Sequence, residues 1–188
     1  ALFAAKAFTR YRVKYSGLSY GAILLPFIIP EIIIAVAFIV IWTSMGLKLG
    51  LVPITISHIL YCTPFCLLIL ISRMDGFDKS LEEASMDLGE NIFGTFWRVT
   101  FPLLLPGIIA SLLLSFVISF DEFILAFFLS SSDQTLPIYM WSQLRFPKKL
   151  PHVLALGAII IVATSFIVML SYWFRNLGQS NNNRGSHI

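Results

Sequence analysis

The chain has 188 residues, of which 57% are hydrophobic and only 12% charged, with a net charge of +3. A soluble globular chain carries about a quarter charged residues, and half that share leaves too little polar surface to cover a water-soluble fold. A disordered chain and an ordinary cytosolic enzyme are therefore excluded, which leaves an integral membrane protein. Two Cys, both in apolar runs, provide neither a disulfide framework nor metal-ligand spacing.

The first apolar stretch, 1–8, is too short to span a bilayer. It reads as the end of a helix whose start is missing, so the chain is expected to be a fragment of a longer one. Four long apolar segments follow: 18–42 with the single charge Glu31, 51–72 with none, 107–129 with Asp121 and Glu122, and 153–174 with none. Each reaches the roughly 20 residues needed to cross a hydrocarbon core. Backbone groups in lipid must be satisfied within the segment, and these runs lack the alternation of barrel strands. The expected fold is all-α, a polytopic transmembrane helix bundle over 1–177. The polar, Asn-rich stretch 178–188 is expected to be a disordered tail.

Orientation follows from the basic residues of the connections. If the spans alternate, Lys6, Arg10, Arg12, Lys14, Arg73, Lys79, Arg98, Arg175 and Arg184 share one side. Lys48, Arg145, Lys148 and Lys149 share the other. Nine against four of the 13 Lys and Arg places the long loop 73–106 in the cytoplasm.

That loop holds six of the ten acids: Asp75, Asp78, Glu82, Glu83, Asp87 and Glu90. Ser80 and Glu83 have the spacing of a capping box, in which each side chain satisfies the other's free N–H. Leu81, Ala84, Ser85 and Leu88 then share one helical face. Gly89 suits a left-handed helix end. Asn91 can start a second short helix carrying Phe93, Phe96, Trp97 and Phe101, which Pro102 is expected to stop. A helix lying on the membrane surface and a helix pair docking into a partner's groove both fit this pattern.

Glu83-Ala84-Ser85, then Gly89, then Val99-Thr100-Phe101-Pro102 resembles the EAA loop of ABC-transporter permease subunits. The family pattern is Glu-Ala-Ala, three residues, Gly, nine residues, Ile-x-Leu-Pro, and every interval matches. Ser85, Val99 and Phe101 are its conservative departures. The resemblance runs from Phe8 to Phe174 and implies the type I importer permease fold. It further implies that this loop couples a separate ATP-binding subunit to the membrane helices. Glu83, Ala84 and Gly89 would form the core of that contact, with Phe93, Phe96, Trp97 and Pro102 completing the second half. The chain has no Gly-Lys-Ser or Gly-Lys-Thr and so no phosphate-cradling loop. ATP would be bound by the partner, with no cofactor in this chain.

A central carboxylate is expensive in a membrane unless it faces protein, water or solute. Counted along straight helices, Glu31 and Asp121 stand at similar depth, roughly 20 Å in. Glu122 is rotated by about 100° from Asp121. One reading pairs these acids with backbone groups or with another subunit's cation, Glu31 simply lining a kink after Pro30. The other makes them a negative site for a cationic solute, with Phe120, Tyr61, Phe123 and Trp141 as ring faces for ammonium groups. His58, the one basic residue in these spans, reads as a local hydrogen-bonding residue. Cys62 and Cys66 read as small packing residues. The outer loop 130–151 reads as a short interfacial helix with Tyr139 and Trp141 as belt residues.

The Asp-Glu pair, the Thr135-Leu136-Pro137 loop and Pro30-Glu31 are most similar to the spermidine/putrescine branch of the family. That branch implies a non-enzymatic subunit of the bacterial inner membrane. Its partners would be an ABC ATPase, a second permease subunit in a heterodimer, a periplasmic solute-binding protein and lipid, with no nucleic acid. Lys148 and Lys149 would be rim contacts for the binding protein. Permeases for iron, thiamine or phosphonate share the layout. An intramembrane carboxylate enzyme using Asp121 and Glu31 is the reading from another class, and a plain scaffold subunit a third.

Overall fold

The computed structural model describes residues 1–11 and 16–177. The tail expectation for 178–188 and the orienting residues Arg12, Lys14 and Arg184 lie outside them. The regular structure of the described residues is helical: α1 (Leu2–Arg10), α2 (Ser16–Ile28), α3 (Glu31–Ser44), α4 (Leu51–Asp75), α5 (Ser80–Asp87), α6 (Ile92–Thr95), α7 (Phe101–Asp121), α8 (Ile124–Leu129), α9 (Leu136–Gln143) and α10 (Leu150–Leu177). A π-helical turn, Phe96–Thr100, joins α6 to α7.

Among the described residues three helices are long and apolar enough to cross a membrane: Leu51–Asp75, Ile92–Asp121 and Pro147–Asn176. The chain is a multi-pass membrane protein. The apolar side chains of α10 point outward: Val162 is 70% exposed and Met169 71%. Water would not tolerate so continuous an apolar surface, whereas lipid does.

The stretch 18–42, expected as one span, is two helices bent by 104° between Ser16–Ile28 and Glu31–Ser44. The residue before a proline avoids the helical region and proline donates no hydrogen bond, so Ile29-Pro30 breaks the ladder and Pro30 caps α3. Pro26 and Pro64, by contrast, sit inside α2 and α4. The bend removes the straight-helix count that set Glu31 level with Asp121. The stretch 107–129 is also interrupted. Helix α7 ends at Asp121 and α8 starts at Ile124.

Pro102 does not stop the second loop helix. Helix continues from Ile92 through the π-turn to Asp121. In the turn, Phe101 N–H bonds Phe96 O, one residue further back than in an α-helix. The wider turn immediately before Pro102 gives its ring the room that an α-turn lacks.

The chain forms two compact units. Of the described residues, one comprises 1–11, 16–20, 65–114 and 168–177, the other 21–64 and 115–167. In the first, helices approach closely over small residues. Cys66 Sγ lies 3.8 Å from Ser111 O, and Ser171 Oγ donates to Ala110 O at 2.8 Å. A Cβ on Gly107 would stand 2.9 Å from Arg73 Cγ, and Arg73 uses that approach to donate to Leu103 O through Nε and a terminal nitrogen at 3.2 and 3.1 Å. In the second, α3 packs on α8, burying Ile34, Ala35 and Leu125. A neighbouring cluster of Ile54, Ala126, Leu129 and Ile138 extends this core to α4 and α9.

Candidate functional site

The two adjacent acids at the end of α7 have opposite fates. Asp121 is exposed and lines a cavity of about 400 Å³ with Phe120, Phe123, Trp141, Met140 and Gly157. Among the described residues its carboxylate has no hydrogen-bond or ion-pair partner. Aromatic rings frame the same space: Phe123 stands 6.0 Å from Trp141, centroid to centroid, and Phe120 lines it beside them. A single carboxylate in an aromatic-walled cavity suits an ammonium group, which gains from both the charge and the ring faces.

Glu122 was expected to hold a second ammonium, and the structure corrects this. It is buried and fully engaged within its own unit. Its oxygens accept from the backbone N–H of Leu125 at 2.6 Å and Ala126 at 2.9 Å. His58 Nε2 lies 2.9 Å from Oε2, while His58 Nδ1 lies 2.8 Å from Ser119 Oγ. The ring thus bridges the Glu122 carboxylate, which can only accept, and the Ser119 hydroxyl, which can donate or accept. The interruption after Asp121 follows from the same contacts. The carboxylate takes the first free N–H groups of α8, the task of an N-terminal cap. Glu31 and Tyr61 are electrostatic neighbours of Glu122, so they gather around the buried acid and do not line the Asp121 cavity. His58 and Ser119 are the participants that sequence reasoning undervalued. Their signal was weak, a His and a Ser in apolar runs.

The loop 73–106 forms a helix pair. Asp78, not Ser80, caps α5. Its Oδ1 accepts from the Ser80 N–H at 3.0 Å, and the expected capping box with Glu83 is absent. That backbone bond, followed by the Ser80 hydroxyl, holds the Asp78 carboxyl below its ordinary range. Gly89, at φ +91°, closes the helix. Gly89 N–H bonds Met86 O at 2.9 Å and Glu90 N–H bonds Ser85 O at 3.2 Å, the paired bonds of a left-handed helix end that only glycine adopts freely. Asn91 then caps α6 as expected, accepting from Gly94 N–H at 2.7 Å.

Of the expected coupling residues, Glu83, Ala84, Gly89 and Pro102 are exposed. Among the described residues Glu83 pairs only with Lys79, one turn back, at 3.2 Å. Phe93 is 73% exposed and Trp97 48%. Phe96 departs from the expectation. It is buried against Phe3 of α1, 6.1 Å between centroids, and serves the interior. The inward face of α5 is Glu82 and Ser85, not the expected face of Leu81, Ala84, Ser85 and Leu88. Leu88 is 88% exposed.

Comparison with known proteins places these features in one group. The family model described as binding-protein-dependent transport system inner membrane component matches residues 1–179. The spermidine/putrescine transport system permease protein PotC of Escherichia coli is 31% identical over 168 residues, covering 89% of this chain and 63% of that protein. The Haemophilus influenzae PotC is 32% identical, covering 89% and 65%. The putrescine transport system permease protein PotI of Escherichia coli is 28% identical over 155 residues, covering 79% and 55%. The chain thus spans less than two thirds of the length of these curated relatives.

Proposed function

The chain belongs to the family of binding-protein-dependent transport system inner membrane components, and from that premise we propose that it is the transmembrane part of an ABC importer's permease subunit. It moves a polyamine of the spermidine or putrescine type across the bacterial inner membrane, driven by ATP hydrolysis on a partner subunit. The observation that carries the solute class is the Asp121 cavity. One carboxylate, without a protein partner among the described residues, meets a wall of Phe120, Phe123 and Trp141. An anion such as a phosphonate would meet repulsion there. The names and likeness of PotC and PotI support the same class.

The remaining assignments follow from this reading. Helix α5 and the exposed faces of Phe93 and Trp97 dock an ATPase on the cytoplasmic side. A second permease subunit completes the pathway, and a periplasmic binding protein delivers the solute. The chain contributes no catalytic step of its own. Intramembrane carboxylate catalysis would need Asp121 to face another acid, and among the described residues Asp121 faces aromatic and aliphatic side chains.

The test is uptake of labelled spermidine by the reconstituted complex. Asp121→Asn should raise the half-saturating solute concentration about tenfold or more, since a charge-assisted contact to ammonium contributes about 1.5–3 kcal/mol. Wild-type uptake by this variant removes Asp121 as the solute's ligand.

A further inference from the structure

Glu82 and Glu83 are adjacent, chemically alike and on the same loop helix, yet Glu82 is buried and Glu83 exposed. Glu83 points outward, its side chain 55% exposed. The Glu82 side chain is only 7% exposed and is held by two other segments of its unit. From α1, Arg10 Nε stands 3.0 Å from Oε2 and Lys6 Nζ 3.7 Å from Oε1. The Arg10 Nε–H is not aimed along a hydrogen bond, so that contact is one of charge. From the π-turn, the Thr100 hydroxyl donates to Oε1. Arg10 carries the connection further. It donates to Met74 O at 3.1 Å and Phe77 O at 3.2 Å beyond α4, and its guanidinium lies 4.7 Å from the centre of the Phe77 ring. Lys6 in turn lies 4.9 Å from the centre of the Phe96 ring.

A carboxylate buried to this degree is tolerated only if it is paired, and two buried cations are tolerated only with their anion. The three charges therefore hold α1, α5, the π-turn and the end of α4 as one piece. Among the described residues Leu81, Glu83, Ala84, Met86 and Asp87 of α5 remain exposed. Helix α5 alone is eight residues long, well below the length at which an isolated helix is stable in water, so its rigidity has to come from such contacts.

We infer that Glu82, clamped by Arg10, Lys6 and Thr100, is the positioning residue that makes the loop helix a lever. It fixes α5 to the membrane helices, so that movement imposed on the Glu83 face displaces α1 and α4 with it. The inference rests on the docking role proposed for the loop. The clamp is separate from the dock: its loss leaves the ATPase bound and hydrolysing, but no longer driving solute.

The experiment compares Glu82→Gln, Thr100→Val and Thr100→Ser with Gly89→Asp in the assembled full-length complex. Three quantities are read: ATPase co-purified per permease, ATP hydrolysed, and labelled spermidine taken up. Glu82→Gln should retain wild-type ATPase stoichiometry and keep hydrolysis within twofold, while uptake falls tenfold or more, so that solute moved per ATP drops at least fivefold. Thr100→Val, which removes only the hydroxyl, should lower solute per ATP two- to threefold, and Thr100→Ser should restore it. A merely structural role would move stoichiometry and hydrolysis together with uptake. Wild-type solute per ATP in Glu82→Gln overturns the clamp, as does loss of the ATPase to the extent seen in Gly89→Asp. If Glu82→Gln does not yield a monodisperse complex, wild-type solute per ATP in Thr100→Val overturns it. Wild-type protein without any ATPase, or Gly89→Asp with a full complement, would instead overturn the docking role and the clamp with it.

Discussion

Glu122→Ala should cost far more stability than Asp121→Ala, although both delete one carboxylate from neighbouring positions. Glu122 accepts from three donors: the N–H groups of Leu125 and Ala126, and His58. Truncation strands all three in a buried place, since Glu122 is 6% exposed. Each stranded buried donor costs about 1–3 kcal/mol. The two backbone groups belong to one helix start, whose cap is worth about 1 kcal/mol as a unit. The lower end of the range therefore applies to them, and the total is about 3–4 kcal/mol. At about 2–4 °C per kcal/mol for a chain of this size, the apparent melting temperature in detergent should fall by roughly 6–16 °C. Glu122→Gln keeps the shape and loses the charge. Neutral bonds are about half as strong, so its loss should be intermediate. Asp121→Ala removes a group with no partner among the described residues and should stay within about 0.5 kcal/mol of wild type.

The assay is thermal unfolding of the purified protein in one detergent, followed by tryptophan fluorescence, with Ser119→Ala as a further point. Ser119 touches only the far side of the His58 ring and should cost about 1 kcal/mol. Equal losses for Glu122→Ala and Asp121→Ala, or the reverse order, would refute the division of labour between the two acids.

Two further outcomes follow from the loop and from α7. Gly107→Leu should destabilise the protein by about 1–3 kcal/mol through overpacking, because even a Cβ there would meet Arg73 Cγ at 2.9 Å and Cβ at 3.1 Å; unchanged denaturant midpoints would show that Arg73 swings away freely. The Asp78 carboxyl should titrate below the ordinary value near 3.8 because it accepts the Ser80 N–H. A depressed folded-state value means that its contribution is fully present above pH about 4 and is lost as pH falls through the folded value, which carboxyl-carbon NMR of the labelled residue reads directly; a midpoint at or above 3.8 would remove Asp78 as the cap of α5.

What the sequence disclosed about this molecule divides along a physical line. Gly89 and Asn91 were readable because each answers a local backbone demand, a positive φ and a free N–H, that few other residues meet. The bend at Ile29-Pro30 was readable as a proline kink but not in its size, since tertiary contacts decide whether a proline bends a helix slightly or by 104°. The capping box failed because two acceptors competed for the same helix start, and Asp78 reached it first. The interruption after Asp121 has no glycine or proline to announce it. It exists because a glutamate takes the N–H groups of the next helix, and a carboxylate in an apolar run reads equally well as a solute ligand. The same ambiguity covers Glu82 and Glu83. In a soluble helix, amphipathic periodicity would tell inward from outward acids. Helices α3 and α10 are apolar nearly all round, and in α5 the apolar Leu81, Ala84 and Met86 are exposed, so no apolar stripe marks the interior. Which carboxylate of an adjacent pair is structural is then settled by cations and hydroxyls distant in sequence: Arg10 and Thr100 for Glu82, His58 for Glu122. In both pairs the acid held by partners distant in sequence is buried and its neighbour is exposed, Glu83 paired with nearby Lys79 and Asp121 unpartnered among the described residues.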